Sequence, residues 1–174
     1  MPERLVLIGY GGFGRTVEDI VRQTGRYQTL IILDDRAPGA AGDLASFKNY
    51  VSPETEFFVA IGNNALRVDL CEQIEQAGGS LALIVHPTAY VSPTAKLGAG
   101  SIVMPQAVVN TNTVTGKSCI INCGAVIDHD TVLGEGVHIG LNAVIKADNH
   151  VPDFLKADAG CVVQNGFYRQ ERMK

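Results

Sequence analysis

A small α/β unit followed by a parallel β-helix is the fold class this 174-residue chain predicts, on three observations. From Val85 to His150 an aliphatic residue recurs at every sixth place, with Thr115 as the polar exception. Ahead of that stretch, short apolar runs alternate with helical patterns, as in a βαβ sheet. A glycine turn, Gly9-Tyr10-Gly11-Gly12-Phe13-Gly14, stands where the first run gives way to the first helix.

The first run, Leu5 to Ile8, predicts a strand, and the stretch from Thr16 to Gln23 an amphipathic helix. The turn between them has the spacing GxGxxG. Glycines allow a tight turn and close backbone approach, and a helix N-terminus offers free N–H groups to a phosphate. Gly11, Gly12, Phe13, Gly14 and Arg15 are therefore the candidate phosphate contacts, against the alternative of a solvated turn. Leu30 to Leu33 predicts a second strand, ending in Asp34-Asp35, where an acid can accept hydrogen bonds from a ribose hydroxyl.

A loop with Pro38-Gly39 and a short helix near Leu44 to Tyr50 lead to a third strand, Phe57 to Ile61, which runs into Gly62-Asn63-Asn64. Asn63 or Asn64 caps a helix from Ala65 to about Ala77. Gly62, Asn63 and Asn64 lie at the carboxyl edge of a parallel sheet, where ligands of such sheets bind, so ligand contact and plain capping both account for them. Gly78-Gly79 ends the helix, and Leu81 to Val85 predicts a fourth strand feeding directly into the repeat. The domain boundary falls between residues 84 and 85. About 80 residues are short for a dinucleotide site and suit a single nucleotide.

In the repeat the first places read Val85, Val91, Leu97, Val103, Val109, Thr115, Ile121, Ile127, Leu133, Ile139 and Ile145, and the fifth places are almost all small. No helix or alternating strand keeps that register; periodic hexapeptides mean a parallel β-helix. Three hexads make one triangular coil, which stacks residues eighteen apart at roughly the 4.8 Å spacing of paired strands. Gly98, Gly116, Gly134 and Gly140 are expected to supply permissive backbone beside the aliphatics. The hexads are expected to stop after Ile145, leaving residues 85–174 as a prism with a non-repeat tail. A scaffold alone has no reason to carry Asp128-His129-Asp130, which occupies the second to fourth places of a hexad and forms a corner.

The net charge of −4 and the absence of a Lys/Arg cluster argue against nucleic acid as a partner. The start MPERLVLIGYGG lacks the apolar run of a signal peptide, and no later run has the length of a membrane span, so a cytoplasmic protein without membrane contact is expected. Cys71, Cys119, Cys123 and Cys161 show no CxxC spacing and read as reduced structural residues.

The ordered motifs GYGGFGR, LDD, AIGNN, HPTAYVSPTAKLG, MPQAVVN and INCGAVIDHDTVLGE resemble the NeuD/PglD type of sugar acyltransferases, over residues 5 to about 145. The resemblance implies a Rossmann-like domain that holds the nucleotide of a nucleotide-sugar, and a left-handed β-helix that assembles as a homotrimer. It implies acetyl-CoA along the prism as co-substrate, without a metal, and transfer of its acetyl group to the amino group of a nucleotide-linked amino sugar. It maps a general base onto His129 and the acid that orients it onto Asp130, with Asp128 as the competing acid. Asn122 corresponds to a residue near the acceptor. His138, Gly140 and Ala147 fall in the cofactor-binding part, His138 near the thioester and the Ala147 N–H where it would meet the thioester oxygen. Neutral imidazole suits proton removal from the attacking amine.

Other readings are an O-acetyltransferase of a sugar such as sialic acid, a non-catalytic nucleotide-sugar binder, and an NAD-dependent oxidoreductase suggested by GYGGFG alone. A zinc enzyme on the same prism would need closely spaced histidines, which His86, His129, His138 and His150 do not supply.

Overall fold

The computed structural model describes residues 2–168. The chain divides after Ile84 into two compact units.

In the first unit β1 (Arg4–Ile8), β2 (Thr29–Leu33), β3 (Thr55–Val59) and β4 (Ser80–Leu81) form a parallel sheet in the order β2-β1-β3-β4. Successive side chains of a strand point to opposite faces. Val6, Ile8, Phe57 and Val59 accordingly share one core with Phe47 of a 3-10 helix (Leu44–Tyr50) and with Leu70, Cys71 and Ile74 of α2 (Asn64–Gln76). Leu5, Leu7 and Phe58, on the alternate positions, are equally buried. The strand order reverses direction at β1, so the carboxyl ends of β1 and β3 flank a switch point, the usual ligand crevice of such sheets.

Helix α1 (Gly12–Thr24) begins inside the glycine turn, four residues before the expected Thr16, because the Arg15 N–H already donates to the Gly11 carbonyl at 3.1 Å. The expected fourth strand is broken: β4 belongs to the first sheet, whereas Ile84–Val85 pairs within the prism. Ala82 between them still donates to the Phe57 carbonyl at 2.8 Å, so the chain leaves one sheet and enters the next within three residues.

The second unit is a left-handed β-helix of two-residue strands arranged in three sheets of five, five and three strands. Register follows the eighteen-residue coil: Ile121 pairs with Val103 and Ile139, Ile127 with Val109 and Ile145, and Leu133 with Thr115 and Val151. First and fifth places fill the interior, where Val103, Ala107, Val109, Cys119, Ile121, Ala125, Ile127, Val137, Ile139, Ala143 and Ile145 are all 0% exposed. The prism does not stop at Ile145. Strands His150–Val151, Lys156–Ala157 and Val162–Val163 continue the same register, with Val151 and Ala157 in the core. Val151, Ala157 and Val163 extend the six-residue period in the sequence itself, so the expected stop after Ile145 was too early.

The glycines Gly98, Gly116, Gly134 and Gly140 are there for want of space, not for unusual backbone. A Cβ on Gly98 would stand 2.2 Å from the Gly116 carbonyl oxygen, and one on Gly140 would stand 2.6 Å from the Ala157 oxygen of the next coil. Backbone freedom is needed at the fourth place instead. Every sixth residue from Gly100 to Gly166 is left-handed, with φ between 54° and 73°. Glycine, asparagine and aspartate tolerate that conformation best, which accounts for Asn112, Gly124, Asp130, Gly136, Asn142 and Asp148 in this series.

Candidate active site

Two constellations follow from these folds, one in each unit. In the first, Gly9, Gly11, Gly12, Phe13, Asp34, Asp35, Arg36, Leu44 and the segment 60–62 line an open cleft of about 460 Å³ at the switch point. The three motif glycines have different duties. Gly9 has φ +91°, and a Cβ on Gly14 would lie 2.2 Å from the Gly9 oxygen, so the first bends the turn and the third lets helix and turn pack. Nothing lies within 4 Å of a Cβ built on Gly11 or Gly12, and both are exposed, which leaves bare backbone facing the cleft. Gly11 caps α1 without any side-chain bond, so the first N–H groups of the helix are open to an anion.

Asp34 proves to be the clamp of this turn. Its Oδ2 accepts from the Tyr10 N–H at 2.6 Å, and its Oδ1 accepts from the Arg36 and Ala37 N–H groups at 2.8 and 2.7 Å. Those backbone donors, Tyr10 foremost, hold its carboxyl below the usual carboxylate range. Asp35 is exposed and accepts from the Leu44 N–H at 3.0 Å. Arg15 turns back to the Tyr10 carbonyl, at 3.4 Å, and does not line the cleft. Gly62 lines it, but Asn63 caps α2 through a 3.0 Å bond from the Leu66 N–H, and Asn64 Oδ1 accepts from the buried Arg67 at 3.0 Å. Asn63 thus caps the helix, and Asn64 holds the Arg67 guanidinium. Tyr10, whose hydroxyl donates to Glu18, was not singled out in the sequence, although it stands in the motif and its amide is what Asp34 holds.

The second constellation is the corner after strand Val126–Ile127, where the chain passes from the second prism sheet to the third. His129 is exposed, and its Nδ1 lies 2.7 Å from Asp130 Oδ2. Asp130 Oδ1 accepts from Asn112 Nδ2 at 2.9 Å, one coil earlier. The Asp130 hydrogen bond, with the charges of Asp128, Asp130 and Asp148, raises the affinity of His129 for a proton above the ordinary imidazole value. Hydrogen bonds from Asn112 and then His129 hold the Asp130 carboxyl low. Asp128, the competing acid, faces the backbone: its Oδ1 accepts from the His129 N–H at 2.8 Å. An imidazole with a carboxylate on Nδ1 presents Nε2 as its proton acceptor. Thr113 and Thr131 prop this corner from inside, donating to the Asp128 carbonyl at 3.1 Å and the His129 carbonyl at 3.4 Å.

The remaining expected residues fall elsewhere. Asn122 Nδ2 and His138 Nε2 are 3.2 Å apart, but Asn122 stands on the corner between the first and second sheets, as does Gly140. A single chain therefore does not gather Asn122, His138 and Gly140 around His129. Ala147 stacks one coil after His129, yet it is 2% exposed. Among the described residues no group of His, Cys, Asp and Glu could hold a metal ion.

The PglD N-terminal domain family matches residues 4–74. A solved variant of perosamine N-acetyltransferase from Caulobacter crescentus, in complex with CoA and GDP-perosamine, is 30% identical; the alignment covers 92% of this chain and 88% of that one, with a TM-score of 0.76. The chain belongs to the PglD-type sugar acetyltransferases. The acetyltransferase domain of PglB from Neisseria gonorrhoeae FA1090 is another member-like structure, 29% identical with a TM-score of 0.79 over 97% of this chain and 94% of that one. The same domain has been solved with acetyl coenzyme A. UDP-N-acetylbacillosamine N-acetyltransferase of Bacillus subtilis (strain 168) is 26% identical over 113 residues, which are 58% of this chain and 50% of that protein. The chain thus matches half the length of that curated relative.

Proposed function

We propose that this protein transfers the acetyl group of acetyl-CoA to the amino group of a nucleotide-linked amino sugar. The observation that carries the reading is the His129–Asp130 pair, 2.7 Å apart on an open corner of a hexapeptide prism, in a chain whose relatives are named for this chemistry. The acceptor nitrogen attacks the thioester carbonyl carbon as His129 Nε2 takes its proton. Collapse of the tetrahedral adduct breaks the C–S bond, and the imidazolium returns a proton to the departing thiolate, so the enzyme ends as it began. Asp130 keeps the proton of neutral His129 on Nδ1 and stabilises the imidazolium.

The glycine turn and the N-terminus of α1 take the phosphates of the acceptor, in a cleft with room for one nucleotide. Three copies of the chain work together: Asn122 and His138 stand on a different corner from His129, so a neighbouring copy has to bring them into one site. A cytoplasmic setting fits both the thioester donor and the nucleotide-linked acceptor, and no helix among the described residues is long and apolar enough to cross a membrane. The test is release of free CoA thiol from acetyl-CoA in the presence of UDP-linked or GDP-linked amino sugars. Release with either class supports the reading. Tight nucleotide-sugar binding by calorimetry without any CoA release would instead make the protein a non-catalytic binder.

A further inference from the structure

We propose that Asn112 is a positioning residue for His129, acting through Asp130; this rests on the reading of His129 as the base. Asp130 is half exposed and sits in a left-handed corner, with φ 54°. Among the described residues its carboxylate has two hydrogen-bond partners, His129 Nδ1 on Oδ2 at 2.7 Å and Asn112 Nδ2 on Oδ1 at 2.9 Å. An ionised carboxylate only accepts, so the Asn112 amide must turn its NH₂ towards it. Asn112 is itself tethered, since its backbone N–H donates to Thr94 Oγ1 at 3.0 Å. Thr94, Asn112 and Asp130 stand eighteen residues apart, one above the other, and this column ends on the imidazole. With Oδ1 fixed from the coil before, the plane of the carboxylate is set and Oδ2 faces Nδ1.

Asparagine is also a natural occupant of a left-handed corner, with φ 57° at this position, and that alone could account for it. Asn112→Gly separates the two roles, because glycine keeps the backbone and deletes the amide. Asn112→Asp also suits the backbone but sets a second acceptor against Asp130. The charged groups around the imidazole, Asp128, Asp130 and Asp148, are untouched by Asn112→Gly.

The experiment combines ¹⁵N NMR of the His129 ring with steady-state kinetics on the full chain. In the unaltered protein neutral His129 should carry its proton on Nδ1. In Asn112→Gly the ring should drift towards the Nε2–H tautomer, which cannot act as base, and kcat should fall by about tenfold, the scale of one modest hydrogen bond. Asn112→Asp should lower kcat at least as far. The KM for both substrates and the melting temperature should hold in each variant. A ring that stays Nδ1–H in Asn112→Gly, with kcat within twofold of the parent, would overturn the assignment. Were His129→Ala fully active in the same assay, the base itself would be wrong, and the tautomer measurement would still decide what Asn112 does.

Discussion

At His129 the decisive quantity is which nitrogen holds the proton. A carboxylate on Nδ1 makes Nε2 the acceptor and raises the pKa of the ring above its ordinary value. Only the neutral ring is a base, so kcat/KM should rise with pH through that raised pKa. Asp130→Asn removes the largest cause of the shift and should move the rising limb to lower pH while slowing the reaction. His129→Ala should lower kcat by about 10² to 10⁴, the usual worth of a positioned base, with acetyl-CoA binding intact. A His129→Ala enzyme within a few-fold of the parent, beside an inactive Cys123→Ala, would point to a covalent route instead.

The glycine turn makes a separate residue-scale prediction. Gly14→Ala drives a methyl group into the Gly9 carbonyl, 2.2 Å away, and should destabilise the protein by about 1–3 kcal/mol in denaturant unfolding, as overpacking does. A Cβ on Gly12 meets nothing within 4 Å. Gly12→Val should therefore leave the fold intact and raise the KM of the nucleotide-sugar far more than that of acetyl-CoA. Equal changes in both would remove the turn from the acceptor site.

Among the elements, the hexad is more exacting than its aliphatic period suggests. Thr115, the polar member of the first-place series, is 5% exposed and accepts the Gly98 N–H at 3.0 Å, a donor that valine would strand. The fourth place demands a left-handed backbone, and Phe154 meets that demand badly, with φ 59° in a residue that is 48% exposed. Phe154→Asn should relieve about 1 kcal/mol of strain at little loss of packing and raise the melting temperature. A fall in melting temperature would mean that the ring packs against more than its exposure indicates.

For the whole molecule, the outward places of the second prism sheet form an apolar column: Tyr90, Val108, Val126, Val144 and Val162. Tyr90 and Val162 are half exposed. Such a stripe beside the corner proposed to be catalytic suits closed association of identical chains. Sedimentation should find a homotrimer, and Val144→Asp should break it into monomers with loss of activity. A fully active monomer at working concentration would refute the assembly.

The sequence by itself determined the register. An apolar residue at the first place of each hexad and a small one at the fifth define which side chains enter the prism, and Ile121, Ile127 and Ile139 are buried where that period puts them. The strand and turn order of the first unit was equally legible, because glycines and capping residues act over a few neighbours. Tertiary structure decided the rest. The last hexads keep apolar first places in Val151, Ala157 and Val163, and ladder pairing with the preceding coil, as in His138 with Lys156, shows that they continue the prism. Asp34 and Asp35 are adjacent and alike in sequence, and their division of labour depends on which carboxylate the Tyr10 N–H meets from the turn after β1. Asp128 and Asp130 are separated in the same way, by a left-handed backbone at Asp130 that turns its side chain to the ring and by Asn112 from the coil before. A period of eighteen states which residues stack, as Ala147 does on His129, but not which are covered. Coverage depends on neighbours distant in the chain, and no local pattern encodes it.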